Sequence, residues 1–203
     1  RAKAVPSLCF LMNNQHVMQA ANTFGGKRIL VMGLGRLGGG VATARWFVRH
    51  GAKVTVTDMK LRRELKDSIQ QLGAAAKKVI FVLGRHRVAD FKNHDVIVVN
   101  PAVPRESPYL RVARRAGKML VNDARIFFDL VPNPIVVVTG TRGKTTTANW
   151  IAHFVKAKHR GVVAAGNTPE MPLLSLIDRL RSRETPVVAE LSSWQLELLS
   201  ESR

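Results

Sequence analysis

Lys144, Thr145 and Glu190 are the residues of this sequence whose types and settings point most directly to chemistry. Lys144 and Thr145 belong to the run TGTRGKTTT (139–147), which follows the apolar PIVVV and opens a helical pattern. In such a turn the backbone N–H groups and the helix N-terminus cradle phosphate oxygens, a lysine neutralises β/γ-phosphate charge, and a hydroxyl can ligate magnesium. Gly140, Thr141, Arg142, Gly143, Lys144, Thr145 and Thr146 therefore read as an ATP-binding loop, with Thr145 as a magnesium ligand. The run lacks the early glycine of the common G-x-x-x-x-G-K-[ST] spacing, because Val138 stands there, but the physics of the cradle is unchanged. Glu190 ends the apolar run VVAE, and a carboxylate at the C-terminal tip of a strand beside a phosphate loop suits the nucleotide's magnesium. Phosphoryl transfer depends mostly on charge neutralisation and positioning, so Lys144 and Glu190 are the catalytic candidates.

A second glycine-rich turn, GLGRLGG, follows RILVM. Gly33, Gly35 and Gly38 fit G-x-G-x-x-G between a strand and a helix, and Asp58 ends the next strand. Small residues allow a tight turn and close approach of a diphosphate, while an acid at that place usually reads ribose hydroxyls. The pattern specifies a Rossmann-like nucleotide site without choosing its ligand, since a dinucleotide and a UDP-sugar both carry a diphosphate and a ribose.

Three further segments carry a resemblance to a known family. ELSSWQLE (190–197) differs from the ELSSFQLE of D-glutamate-adding Mur ligases by one aromatic exchange. The shortened T-G-T-x-G-K-T-T spacing is that of Mur ligases and folylpolyglutamate synthases, and NPAVPRESP (100–108) and AAGNTPEMP (164–172) are similar to the SPG-type and GNIG regions. From Lys27 to Glu197 the chain resembles the Mur ligase family. The resemblance implies that the first domain holds UDP-N-acetylmuramoyl-L-alanine, with Gly33, Gly35, Arg36, Leu37 and Gly38 facing its diphosphate and Asp58 near the uridine. It also implies substrate contacts at Asn100, Asn167 and Ser192, close approach at Gly166, and magnesium at Glu190. Trp194 is expected to be an aromatic packing residue, and Leu196 and Leu198 to be core. The implied activity uses ATP and Mg2+ to convert the alanyl carboxylate to an acyl phosphate, which the amine of D-glutamate attacks. The implied setting is a cytoplasmic monomer serving peptidoglycan synthesis. Another Mur-type ligase or a folylpolyglutamate synthase stays open, as does a Rossmann NAD-binding module, which would leave TGTRGKTTT idle.

These residues need an α/β frame to position them, and short β-rich runs alternating with helical stretches from Lys27 predict one with parallel sheets. Strands are expected at Arg28 to Met32, Lys53 to Thr57, Val79 to Leu83, Val96 to Val99 and Lys118 to Val121. Helices are expected at Leu37 to His50, Leu61 to Leu72, Ser107 to Ala116 and Ala124 to Leu130. VPNP (131–134) breaks the pattern and is read as a domain boundary. After it come strands Ile135 to Thr139, Val162 to Ala165 and Val187 to Glu190, and helices Lys144 to Lys158, Leu173 to Arg181 and one from Ser193. The fold class is thus a Rossmann-like parallel-sheet domain over 25–131 followed by the first part of a P-loop-type ATPase domain over 132–203, with 1–24 set aside as a leader or upstream segment.

Composition bounds the rest. The 203 residues, 46% apolar, are enough for ordinary globular cores. The apolar runs are far shorter than the roughly 20 residues of a membrane span, and the lone Cys9 forms no internal disulfide. The net charge of +18 arises from 32 basic and 14 acidic residues scattered along the chain, which reads as a cationic surface rather than a specific nucleic-acid site. His86, His94, His153 and His159 show no metal-ligand spacing, and Arg111, Arg114, Arg115 and Lys118 read as a solvated helix face. Trp46, Phe47, Phe127 and Phe128 are expected in the core. The start at Arg1 and the stop after SESR read as those of an N-terminal fragment, expected to bind nucleotide or UDP-substrate without turning over and to expose apolar sheet edges.

Overall fold

The computed structural model describes residues 23–36, 38–166, 171–180 and 182–200, apart from the side chains of Glu197, Leu198 and Ser200. Leu37 and Asn167, both expected at substrate contacts, and the Leu198 side chain lie outside the described residues.

Strands β1 (Arg28–Met32), β2 (Lys53–Asp58), β3 (Val79–Leu83), β4 (Val96–Val99) and β5 (Met119–Val121) form a five-stranded parallel sheet in the order β3-β2-β1-β4-β5. A strand covered on both faces needs an unbroken apolar run, and VIVV of β4 is buried at every position. Helices α1 (Gly39–Arg49), α2 (Lys66–Gln71), α3 (Val88–Asn93) and α4 (Pro108–Arg115) lie in the crossovers, and α5 (Asp123–Leu130) follows β5 and leads to the second sheet. Strand order reverses between β1 and β4, so a crevice opens beyond the carboxyl ends of those two strands.

A second, three-stranded parallel sheet has the order β6-β8-β7, from β6 (Ile135–Val138), β7 (Val163–Gly166) and β8 (Val187–Glu190). It carries α6 (Lys144–Lys156), α7 (Leu173–Ile177) and α8 (Ser193–Ser200). The expected α/β class with parallel sheets is therefore the observed one.

Several local expectations need correction. The helix expected over Leu61 to Leu72 is split into a 3-10 turn, Arg62–Leu65, and the short α2, with a further 3-10 stretch at Gly73–Lys78. The helix expected to reach Arg181 ends at Ile177. Helix α3 was not anticipated, because six residues with only Asp90 and Phe91 buried are too short to display a helical period. Phe24, set aside with the leader, is 1% exposed and packs edge-on against Trp46 and Phe47. Its ring is core, so the fold begins at least one residue earlier than expected.

The two sheets share one hydrophobic cluster that includes Phe24, Trp46, Phe127, Leu173, Ile177 and Leu191. In the joint between them, the buried Asn133 donates through Nδ2 to the carbonyls of Ser182 and Thr185, at 2.8 and 2.9 Å. A second tie gathers Trp46 Nε1, Arg49 and His50 Nε2 on the Asp178 carboxylate at 3.0 to 3.3 Å. On β6 and α6 the apolar side chains of Val136, Val137, Trp150 and Phe154 are exposed. Among the described residues no helix is long and apolar enough to cross a membrane.

Candidate functional site

The phosphate loop is positioned by register. Parallel pairing of β6 with β8 sets Val138 opposite Glu190, so the loop leaving β6 emerges beside the carboxylate that ends β8. Thr145, in the first turn of α6, then donates its hydroxyl to Glu190 Oε2 at 2.7 Å. Glu190 is 8% exposed, and its partner matters because a buried carboxylate without one is costly. Lys144 curls back over the loop and donates from Nζ to the Gly140 carbonyl at 2.9 Å. Thr141, Arg142 and Thr146 are exposed. No acidic residue stands in the first turn of α6, leaving its positive end open to an anion. A cleft of about 700 Å³ adjoins this loop and is lined by Thr139, Gly140, Thr141, Lys144, Ser192, Ser193 and Leu196.

Gly166, expected to admit a ligand, meets Glu190 instead. A Cβ there would lie 2.4 Å from the Glu190 carbonyl oxygen and 2.6 Å from its Cβ. Its bareness serves the close pairing of β7 with β8 and hence the position of the carboxylate.

The first glycine turn is closed by its own acid. The Gly33 amide donates to the Thr57 carbonyl at 2.8 Å, and those of Leu34 and Gly35 donate to Asp58 Oδ2 at 2.9 and 3.2 Å. Lys60 N–H donates to Asp58 Oδ1 at 2.9 Å. Three amides thus converge on the carboxylate of Asp58, the residue expected near a ribose and the uridine. The physical reason is that a carboxylate only 8% exposed needs donors, and parallel pairing of β1 with β2 brings the nearest amides to it. The anion-attracting end left at this turn is the N-terminus of α1, which also has no acid in its first turn and is preceded by Gly38 at φ 85°. Asn100 likewise turns inward, donating to the Gly33 carbonyl at 3.3 Å and accepting from Ala102 N–H at 3.1 Å.

Beyond this turn a cleft of about 800 Å³ opens at the reversal of strand order. Arg36, Lys60 and Arg105 bring cationic side chains to it, and Asp123, Ser192 and Trp194 form part of its wall. Ser192 lines both clefts. The structure thus brings Arg36, Asn100 and Ser192 to one cavity, and Gly140, Lys144 and Ser192 to the other.

Ser192 is held by a capping box. Its N–H and hydroxyl both donate to Gln195 Oε1, at 3.0 and 3.2 Å, and its oxygen accepts from Gln195 N–H at 3.3 Å. Gln195 is fully buried, and its Nε2 donates to both carboxylate oxygens of Asp123 at 3.0 Å each. Asn122 completes the tie, donating to the Gln195 carbonyl at 2.9 Å while capping α5 through Arg125 N–H at 2.7 Å. Burial pushes the Asp123 carboxyl above the ordinary carboxylate range, against the lowering pull of the Gln195 amide. Gln195, Asp123 and Asn122 escaped sequence reasoning, although S-x-x-Q before an apolar run signals such a box.

Trp194 does not pack as expected; it is 53% exposed at the cleft wall. His94 is buried against Thr55 and the Asp90 carbonyl, and His86 meets Thr57 Oγ1 at 2.7 Å. Burial holds His86 below the ordinary histidine range despite the nearby Asp58. Among the described residues no group of three or more His, Cys, Asp or Glu side chains could hold a metal ion.

Residues 27–122 match a family model described as the Mur ligase MurD-like N-terminal domain, and residues 138–202 match the Mur ligase middle domain. The chain is 45% identical over 179 residues to the UDP-N-acetylmuramoylalanine--D-glutamate ligase of Roseiflexus, covering 87% of this chain and 37% of that protein. Proteins of the same name from Borreliella burgdorferi and Geobacter metallireducens are each 43% identical, with 84% and 88% of this chain and 36% and 38% of theirs covered. The chain therefore spans little more than a third of these relatives' length. A solved UDP-N-acetylmuramate:L-alanyl-gamma-D-glutamyl-meso-diaminopimelate ligase from Neisseria meningitides shares the fold at a TM-score of 0.51 and 18% identity, over 82% of this chain and 52% of that one.

Proposed function

This chain belongs to the Mur ligase family, and from that premise we propose that it carries the UDP-substrate and ATP-binding parts of a ligase joining D-glutamate to UDP-N-acetylmuramoyl-L-alanine. The observation that carries the reading is that Ser192 lines both clefts. A carboxyl group at the far end of a molecule seated by its diphosphate in one cleft would reach a γ-phosphate seated in the other.

In this reading residues 25–131, with Phe24, form the substrate-binding domain and residues 132–203 the nucleotide-binding part. The α1 N-terminus with Arg36 and Lys60 meets the diphosphate, and Gly140 to Thr146 hold the ATP phosphates. Lys144 offsets the charge that spreads over the phosphoryl oxygens during transfer to the alanyl carboxylate. The products are ADP, which leaves, and an acyl phosphate, whose carbonyl carbon the amine of D-glutamate attacks to give the amide with loss of phosphate and a proton. The hydroxyl of Thr145 and the carboxylate of Glu190 form a hard oxygen pair suited to Mg2+, an ion usually held by one or two protein oxygens together with phosphates and water. Magnesium, when bound there, supplies further charge neutralisation. A cytoplasmic, monomeric enzyme acting on small molecules, with no specific nucleic-acid partner, completes the proposal.

Calorimetric titration of the chain at moderate salt with UDP-N-acetylmuramoyl-L-alanine, and separately with NAD, tests it. Saturable binding of the UDP-substrate alone is expected. Binding of NAD alone would overturn the reading.

A further inference from the structure

Trp194 is anomalous for its place in the fold. It sits in the first turn of α8 between Leu191 and Gln195, both fully buried, yet its indole is 53% exposed. Trp46, by contrast, is 2% exposed and enclosed by Phe24 and Phe47. Trp150 is as exposed but lines none of the clefts described above, so Trp194 is the exposed indole placed to meet a ligand, where covering its large aromatic surface is favourable. The backbone beneath it is fixed beforehand by the capping box of Ser192 and Gln195 and by the bonds from Gln195 to Asp123. The ring is thus presented from a rigid base, as a recognition surface requires.

We propose that Trp194 is a specificity-determining residue whose indole face stacks on the sugar ring of the UDP-linked substrate. The inference rests on the substrate reading above and deepens it. The lining points to the sugar: the α1 N-terminus with Arg36 shares one cleft with Ser192 and Trp194, and Ser192 also lines the phosphate-loop cleft. A molecule with its diphosphate at that N-terminus and its carboxyl group at Ser192 passes Trp194 with the part between them, which is the sugar. A pyranose presents a face of C–H groups, and covering it with an indole removes apolar surface from water on both sides. The neighbouring recess, lined by Val103, Leu110, Leu120 and Trp194 among others, is mostly apolar and gives a substituent on that ring a place to settle.

Wild type, Trp194→Ala and Trp194→Phe are each titrated calorimetrically with UDP-N-acetylmuramoyl-L-alanine and with UDP alone. Trp194→Ala should bind the sugar-bearing ligand about tenfold more weakly and UDP within about twofold of wild type, with Trp194→Phe retaining most of the affinity. The sugar-bearing ligand should also quench indole fluorescence in wild type and in a Trp150→Phe control, but not in Trp194→Phe. Unchanged binding of the sugar-bearing ligand by Trp194→Ala overturns the inference and leaves the substrate reading standing. Equal losses for both ligands also overturn it, because the residue would then be supporting the cleft rather than reading the sugar. Failure of wild type to bind either ligand takes down the substrate reading itself.

Discussion

Thr145 and Glu190, 45 residues apart in sequence, meet through a 2.7 Å hydrogen bond from hydroxyl to carboxylate. The bond joins the start of the phosphate-loop helix to the end of the central strand of the second sheet. A hydroxyl and a carboxylate held side by side form a ready pair of hard oxygens, and the phosphates of a nucleotide in the adjoining cleft would supply others.

Glu190→Gln removes one charge and keeps the shape. ATP affinity in the presence of Mg2+ should fall about tenfold or more, while ATP affinity in the presence of a chelator should change less than about twofold, since only the ion-dependent part uses the carboxylate. Calorimetric titration with and without Mg2+ reads both values. An unaltered Mg2+ dependence would remove Glu190 from the ion's site.

Gly40 and Gly39 make a matched pair at the start of α1. A Cβ on Gly40 would lie 2.4 Å from the Leu34 carbonyl oxygen and 2.5 Å from that of Gly33, whereas one on Gly39 meets nothing within 4 Å. Gly40→Ala must push the helix off the glycine turn and should cost about 1–3 kcal/mol. Gly39→Ala should be neutral or stabilising by up to about 1 kcal/mol, because glycine is a poor helix residue. Urea denaturation of the two variants against wild type distinguishes these outcomes, and similar midpoints for both would show that the turn yields.

Asp123 sets a dependence on pH. Burial raises its folded-state pKa above the unfolded value, so the folded protein binds the proton more tightly. The associated stability is fully present below the ordinary carboxylate range and is lost as pH rises through that range to the raised value. Asp123→Asn cannot ionise and keeps an oxygen for Gln195 Nε2. The stability of wild type minus that of the variant should therefore decline as pH rises across this window, as followed by thermal denaturation at a series of pH values. A difference that grows with pH would show the opposite sign and refute the assignment.

Much of the frame was legible in the residues themselves. β1, β3, β4 and β8 begin and end where the apolar runs do, and α6 opens at the lysine of TGTRGKTTT. Hydrophobic runs, glycine turns and cap signals act over a few residues, so they can be read locally. Short elements such as α3 lacked the length to show a period, and Phe24 lay in a stretch whose composition gave no sign that its ring fills the core.

The glycine turns and the strand-end acids Asp58 and Glu190 were thus written in the sequence, as were the family's motifs. What each acid holds was decided only by the tertiary structure. Parallel pairing of β1 with β2 delivers the Leu34 and Gly35 amides to Asp58, and pairing of β6 with β8 delivers Thr145 to Glu190. The joining of Gln195 to Asp123 across 72 residues, the sharing of Ser192 by two clefts and the exposure of Trp194 depend on how two sheets pack over one core. A hydrogen-bond partner distant in sequence is chosen by register and packing, and neither is encoded in the residues beside it.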